Sequence, residues 1–270
     1  FDYYLLRSVT AAGYEIARRL RTFEFLAEQK AQGRIRRLGF SFHDKADVLD
    51  RILTEHPEVE FVQLQLNYLD WEDERVQSRK CYETARRHGK QVVVMEPVKG
   101  GKLAKLPEEA AAILRQAHPD WSPASWAIRF AAGLEGVVMV LSGMSDMSQL
   151  EENTAFMAAP APLTGEERAL LAQVAELLSA LPAVPCTACR YCVDDCPQRI
   201  PIPEYFALYN ADQPALRQGR PANREAYAGL AGSGGKASDC VVCRRCEELC
   251  PQHLPITDWL KRVKGTYEGS

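Results

Sequence analysis

The chain is predicted to fold as a parallel α/β domain followed by a mostly helical domain built around cysteines. Two observations carry this expectation. Strand and helix patterns alternate five times in the first part of the chain, which calls for a parallel sheet or barrel covered by helices. Further on, the runs Cys186–Pro197 (CTACRYCVDDCP) and Cys240–Pro251 (CVVCRRCEELCP) share the spacing C-x2-C-x2-C-x3-C-P and use eight of the nine cysteines.

Taken in order, residues 2–6 (DYYLL) read as a short buried strand. A helical stretch follows to about Gln32, with Phe23, Leu26 and Ala27 on one face and Gly33 as its stop. Arg37–Ser41 is a second strand. The next helix, Asp44–His56, buries Val48, Leu49, Ile52 and Leu53 and ends before Pro57. Phe61–Leu66 is a third strand, leading through Asn67–Asp70 into a helix that ends near Gly89. Gln91–Met95 (QVVVM) is continuous and β-branched, as in a strand covered on both faces. After the loop Glu96–Gly101 a helix covers Glu108–Ala117. Ser122 and Pro123, an N-cap followed by a first-turn proline, open another that Gly133 closes. Val137–Leu141 is the fifth strand, and the turn Ser142–Ser145 leads into the helix carrying Gln149–Phe156. Thr164 with Glu167 is a capping box for a helix whose apolar face holds Leu170, Leu171, Val174, Leu177, Leu178 and Leu181. Pro182 and Pro185 stiffen the link into the first cysteine run. Between the runs, Pro203–Asn210 and Ala222–Leu230 read as helical and Gly229–Gly235 as a flexible turn. So long a spacer suits a helical form better than a small β-hairpin ferredoxin.

The cysteine spacing has a physical reason. Three thiolates two residues apart wrap one face of a cubane cluster, and the fourth, beside a proline that turns the chain away, reaches a different cluster. Two [4Fe–4S] clusters are therefore expected. Cys186, Cys189 and Cys192 would hold one with Cys250, and Cys240, Cys243 and Cys246 the other with Cys196. The alternative pairing closes each run on its own cluster with the same eight ligands. Zinc or disulfides are the competing chemistries; zinc sites use two separated pairs, whereas each run offers a triplet plus one. Ile200–Ile202 and Leu254–Ile256, each after a Cys-Pro turn, are expected to sheathe the clusters. The ninth cysteine, Cys81, falls in a helix pattern and reads as a packing residue.

Composition narrows the rest. With 270 residues and a formal charge of −3, the chain has neither the basic surplus of a nucleic-acid binder nor an acidic tail. No run of about 18 apolar residues suggests a membrane span. Cluster ligation needs reduced thiolates, which points to a cytoplasmic location. The chain opens at Phe1 on an apolar, strand-like run without an initiator methionine, so an N-terminal truncation is expected.

The pieces DYYLL, RRLGFSFHD, FVQLQLNYLD, VVVMEPVKGG, SPASWAIRF and VLSGMSDMSQLEEN occur in the order and spacing of the second half of an aldo-keto reductase barrel. With the cysteine runs attached, the chain resembles the iron–sulfur branch of that family, which joins an NAD(P)-linked (β/α)8 barrel to a C-terminal ferredoxin-like domain. The resemblance implies barrel strands four to eight over residues 1–157, a helix and proline-containing linker over 158–185, and a 4Fe-4S ferredoxin-type domain over 186–270. Of the family's catalytic Asp, Tyr, Lys and His, the first three fall outside this chain, and Arg7 stands at the His position. Arginine donates hydrogen bonds to an oxyanion but does not titrate near neutrality. Ser41 and Gln63 match residues that bind the nicotinamide carboxamide. Phe42 replaces a usual Asn, and Met95 replaces the ring that stacks on the nicotinamide. Glu152 and Asn153 match adenine contacts, while Gly143 and Gln149 stand where Lys and Arg usually clamp a 2′-phosphate.

The residues themselves support a phosphate site more loosely. In (β/α)8 barrels a phosphate often sits between the loops after the last two strands. Here these are Lys99–Gly100–Gly101 and Ser142–Gly143–Met144–Ser145, which also read as plain tight turns. His43 and Glu96, each just past a strand end, are candidate site residues. His56, His88, His118 and His253 read as surface groups, and Trp121 and Trp126 as core or rim. The leading functional reading is an oxidoreductase coupling NAD(P) chemistry to two clusters, acting on a small-molecule substrate or a redox partner protein. No flavin signature is present. An electron carrier with an inactive barrel, and a carbonyl reductase with structural clusters, are the alternatives.

Overall fold

The computed structural model describes residues 1–213 and 221–269. Contacts divide the chain into two compact units, Phe1–Leu178 and Ser179–Ser270. In the first, strands β1 (Tyr3–Val9), β2 (Arg37–Phe42), β3 (Phe61–Gln65), β4 (Gln91–Met95) and β5 (Val137–Val140) form one sheet. They lie side by side in chain order, and every pair is parallel. Helices fill the crossovers: α1 (Ala11–Arg19) and α2 (Thr22–Ala31), α3 (Ala46–Glu55), α4 (Ser78–Arg87), then α5 (Glu108–Ala117) and α6 (Pro123–Ala132). After β5 come α7 (Met147–Met157) and α8 (Gly165–Ser179). This is the successive β/α pattern the sequence predicts.

The period-2 alternation of the strands sorts their side chains. Phe40 and Phe42, Val62 and Leu64, and Val92 and Val94 enter one apolar core with Leu49, Ile52, Leu53, Ala85, Trp126 and Ala131 from the helices. Each such aliphatic or aromatic side chain contributes about 1.5–3 kcal/mol when fully buried. The alternate positions, Ser41, Gln63, Gln65 and Met95, fall on the opposite face, away from the helices. Phe42 thus serves packing, because it is 3% exposed within the helix-side core. The helix α8 also belongs to the first unit: Leu171 and Val174 join its core, and Thr164 and Glu167 form the expected reciprocal cap, at 2.7 and 3.2 Å.

Several expectations need correction. The helical stretch to Gln32 is two helices, because Arg21 takes a left-handed conformation (φ 54°) between them. The helix after β3 starts at Ser78, since side-chain bonds of Asn67, Asp70 and Asp73 hold the preceding residues in turns. His56 stacks on Phe23 at 3.9 Å, His118 stacks on Trp121 at 3.9 Å and bonds Glu167, and His88 bonds Asp50; none of the three is a free surface group.

The second unit is helical among its described residues: α9 (Ile202–Ala211), α10 (Arg224–Ser233), the short α11 (Arg245–Glu248) and α12 (Ile256–Tyr267). The expected flexible turn at Gly229–Gly235 lies mostly inside α10. That helix is held by Tyr227, which stacks on Tyr267 at 4.8 Å and donates to Glu268 at 2.6 Å. The two cysteine runs repeat each other in backbone as well as in sequence. Ala188 and Val242, Arg190 and Arg244, and Arg199 and His253 occupy matching positions, and all six are left-handed. Each run then enters a helix through a proline in nearly one conformation (Pro201 φ −77°, ψ 69°; Pro255 φ −74°, ψ 72°).

Gly39 is the tightest point of the sheet. A Cβ there would lie 2.5 Å from the Phe61 carbonyl oxygen and 2.6 Å from its ring, in the register that pairs Gly39 with Phe61. Gly39→Ala is expected to cost at least about 1–3 kcal/mol through overpacking, read as a lowered urea midpoint. An unchanged midpoint would mean that β2 and β3 do not pair as described.

Candidate functional site

The first unit carries a cavity beside the loops that follow β4 and β5. Its volume is about 460 Å³, within the range of small-molecule sites. One wall is Glu96–Val98 with Gly100 and Gly101, and the opposite wall is Leu141–Ser145. Gln149, Glu152 and Asn153 close it from α7. Six of the nine sequence-predicted dinucleotide residues, Ser142, Gly143, Met144, Gln149, Glu152 and Asn153, therefore line one space. Ser41, Gln63 and Met95 lie outside its lining, Ser41 and Met95 toward the C-terminal ends of β2 and β4 and Gln63 in the middle of β3. Gln63 Nε2 is 3.4 Å from Met95 Sδ, and the Ser41 hydroxyl accepts from the Ser8 N–H at 2.7 Å. Arg7 sits in β1 and is exposed.

The α7 wall is fixed by local chemistry. Asp146 caps the helix by accepting from the Gln149 N–H at 3.0 Å and also accepts from the Gln149 side chain at 2.8 Å. Gln149 in turn accepts from the Ser145 N–H at 2.9 Å, and Asn153 donates to the Ser142 hydroxyl at 3.2 Å. The Arg129 guanidinium on α6 lies 4.6 Å from the Phe156 ring of α7 and 4.0 Å from Trp121, tying the two helices together.

The loop after β4 is held from beneath by a buried ionic network that sequence reading missed. Lys99 pairs with Asp70, and both side chains are 3% exposed. Asp70 also accepts from Gln65 Nε2 and Asn67 Nδ2, each at 2.8 Å, and Asn67 donates to the Glu96 carbonyl at 3.1 Å. The only signal in the sequence was N-x-x-D at Asn67–Asp70, a turn motif whose partner lies far along the chain. The loop above is strained: Glu96 (φ 57°) and Lys99 (φ 49°) are left-handed non-glycine residues, followed by Gly100 and Gly101, also at positive φ. An added Cβ at Gly101 or Gly143 would meet nothing, so both glycines open onto free space. Such a cradle leaves room for a phosphate to approach the backbone.

Glu96 is the unusual member of the wall. Its Oε2 is buried without a hydrogen-bond partner. Burial holds the carboxyl above the usual carboxylate range, against the opposing pull of Lys99 and the Gly100 N–H.

In the second unit the thiols sort into two small spaces. Cys186, Cys189, Cys192 and Cys250 line the first, with Ile202, Phe206, Leu254 and Ile256. Cys196, Cys240, Cys243 and Cys246 line the second, with Ile200, Ile202 and Leu260. Each space thus draws three cysteines from one run and the last cysteine of the other. Among the described residues, no disulfide joins any of the nine cysteines. Burial pushes the third thiol of each run, Cys192 and Cys246, up to about 12. Such groups become thiolates readily only beside a positive charge such as iron. Cys81 is a buried packing residue whose thiol burial also pushes up to about 12. Among the described residues, no helix is long and apolar enough to cross a membrane.

A sequence model described as the aldo/keto reductase family matches residues 2–176. A second, described as a 4Fe-4S dicluster domain, matches residues 185–255. No curated protein matches the chain. Among solved structures, the holo form of the aldo-keto reductase AKR11C1 from Bacillus halodurans is 25% identical, with a TM-score of 0.51 over 64% of this chain and 58% of that one. Its apo form is 24% identical, with the same TM-score, over 64% and 62%. A thermostable aldo-keto reductase in complex with the inhibitor epalrestat is 21% identical, with a TM-score of 0.51, over 64% and 59%. The chain spans about three fifths of the length of these proteins. The shared part shows the fold: the five β/α units are part of a (β/α)8 barrel.

The network beneath the loop yields a direct expectation. Asp70→Asn leaves the Lys99 ammonium buried without its counter-charge and is expected to cost about 3–5 kcal/mol of stability, measured by chemical denaturation. A loss below about 0.5 kcal/mol, the level of an ordinary surface substitution, would mean that the pair does not anchor the loop.

Proposed function

The chain belongs to the aldo/keto reductase family over residues 2–176, and from that premise we propose an iron–sulfur oxidoreductase that couples NAD(P)-linked redox chemistry to two [4Fe–4S] clusters. The observation that carries the reading is the sorting of the eight motif cysteines into two spaces of four, each with apolar walls. Thiols that ring a space in this way suit a polynuclear cluster better than mononuclear zinc. The division of labour follows the sequence: residues 1–157 supply the barrel part, 158–185 the following helix and link, and 186–270 the cluster domain.

When bound, the clusters supply one-electron transfer and the nicotinamide a two-electron hydride couple. This chain's own residues bind and orient. Cys186, Cys189, Cys192 and Cys250 hold one cluster, and Cys196, Cys240, Cys243 and Cys246 the other. Ile200, Ile202, Leu254 and Ile256 exclude water around them, which raises the strength of every local electrostatic interaction. Ser142, Gly143 and Met144, with Gln149, Glu152 and Asn153, receive the phosphates and adenosine of a dinucleotide. Ser41, Gln63 and Met95, on one face of the sheet, would meet its nicotinamide. Arg7 can donate hydrogen bonds to a developing oxyanion. The reaction partner is a small molecule or a redox protein, and ligation by thiolates suits a reducing compartment such as the cytoplasm.

Iron content and EPR test the ligand sets. Anaerobic reconstitution is expected to load about eight iron per chain, and Cys250→Ser should lose about half of it, as two four-iron clusters require. The EPR signal lost in Cys250→Ser should be the one lost in Cys189→Ser. If Cys250→Ser instead removes the signal that Cys243→Ser removes, each run closes on its own cluster. Unchanged iron in both variants would overturn the ligand assignment.

A further inference from the structure

The glycines of the first unit's cavity leave room for an anion, yet the charges in its wall do not favour one. The charged side chains in its wall are Glu96, Lys105 and Glu152. Of the two lysines that flank the glycine turn, Lys99 is buried and committed to Asp70, and Lys102 is not in the cavity lining. The helix α6 adds only Ala124 and Ile128. One lysine therefore stands against two carboxyl groups in the wall. Of these, Glu96 is the more confined. One of its oxygens is buried with no partner, its backbone is held left-handed, and it adjoins the open glycines of the same loop. An ionised carboxylate there would face any bound phosphate across a low-dielectric wall, where like charges repel strongly. Protonated, the same group becomes an O–H donor that a phosphate oxygen can accept.

Resting on the reading of this cavity as the dinucleotide site, we infer that Glu96 couples dinucleotide binding to protonation: the pyrophosphate is accepted only when the Glu96 carboxyl carries a proton. The balance is simple. Free protein with an ionised Glu96, one proton from the buffer and the dinucleotide give the complex with a neutral Glu96; no bond other than O–H forms. The groups that set the free carboxyl's proton affinity are burial, which raises it, Lys99 and the Gly100 N–H, which lower it, and Asp70, which raises it. Raising the pH through that range removes the proton and weakens binding, up to a limiting slope of tenfold per pH unit. Tight binding therefore lies on the acid side and is lost on the alkaline side.

The test is calorimetric titration of the anaerobic, cluster-loaded chain with NAD⁺, which has no electrons to give the clusters and whose bridging phosphates do not titrate in this range. Titrations at several pH values from 5.5 to 8.5, in buffers of different ionisation enthalpy, count the protons taken up. Wild-type protein is expected to bind more weakly as the pH rises, with uptake approaching one proton per NAD⁺ at the alkaline end. Glu96→Gln should bind with little pH dependence and no uptake, equalling wild type at pH 5.5 and exceeding it tenfold or more at pH 8.5. NAD⁺ binding without proton uptake in wild type, or with the same uptake in Glu96→Gln, overturns the inference and leaves the dinucleotide site standing. Absence of NAD⁺ and NADP⁺ binding at every pH overturns the site itself, and the inference with it. The wild-type buffer series decides the question even if the variant misfolds.

Discussion

A lysine ammonium in a protein interior cannot stand alone, and the pairing of Lys99 with Asp70 is the constraint on which the first unit's site depends. Isolating such a charge costs several kcal/mol, so the loop after β4 is committed to the geometry that brings Lys99 down onto Asp70. That descent turns the chain left-handed at Glu96 and Lys99 and leaves Gly100 and Gly101 on top, open to the cavity. Gln65 and Asn67 also donate to Asp70, and Asn67 to the Glu96 carbonyl, so hydrogen bonds tie β3, its following turn and the loop after β4 together. The opening at these glycines is thus tied to a buried ion pair, and the same folding leaves one Glu96 oxygen buried without a partner.

The second unit obeys an analogous rule with a different chemistry. Each Cys-Pro step carries the last thiol of a run away from its own triplet, and the two runs, nearly identical in backbone, exchange these thiols across a shared apolar layer. Neither run completes a set of four by itself. The tyrosine stack and the buried Asp212, which accepts from Tyr267 at 2.7 Å and Asn223 at 2.7 Å, keep the intervening helices in place while the runs face one another. The grouping of the thiols and the architecture of the unit are therefore one constraint.

Much of this was legible in the chain. The parallel strands followed from QVVVM and FVQLQ, whose alternate residues sort to opposite faces, and the caps at Ser122 and Thr164 followed from their spacing to the next polar groups. The cysteine sorting across runs followed from the three-residue gap and the proline. What stayed hidden depends on contacts between distant residues. Lys99 and Asp70 are ordinary charges until folding brings them together. His56 and His118 look like helix-end surface groups until an aromatic ring meets them. The glycines of α10 signal a turn locally, and Tyr227 overrides that signal through contacts with Tyr267 and Glu268.

The claim that the barrel part and the cluster domain serve one reaction is tested most directly by rapid anaerobic mixing of NADH or NADPH with the cluster-loaded protein. The nicotinamide absorbance and the EPR spectrum are followed together. The account predicts loss of the nicotinamide band in step with growth of a reduced-cluster signal, about two electrons per dinucleotide. A dinucleotide that binds but leaves the EPR spectrum unchanged, while dithionite produces the signal at once, would contradict it.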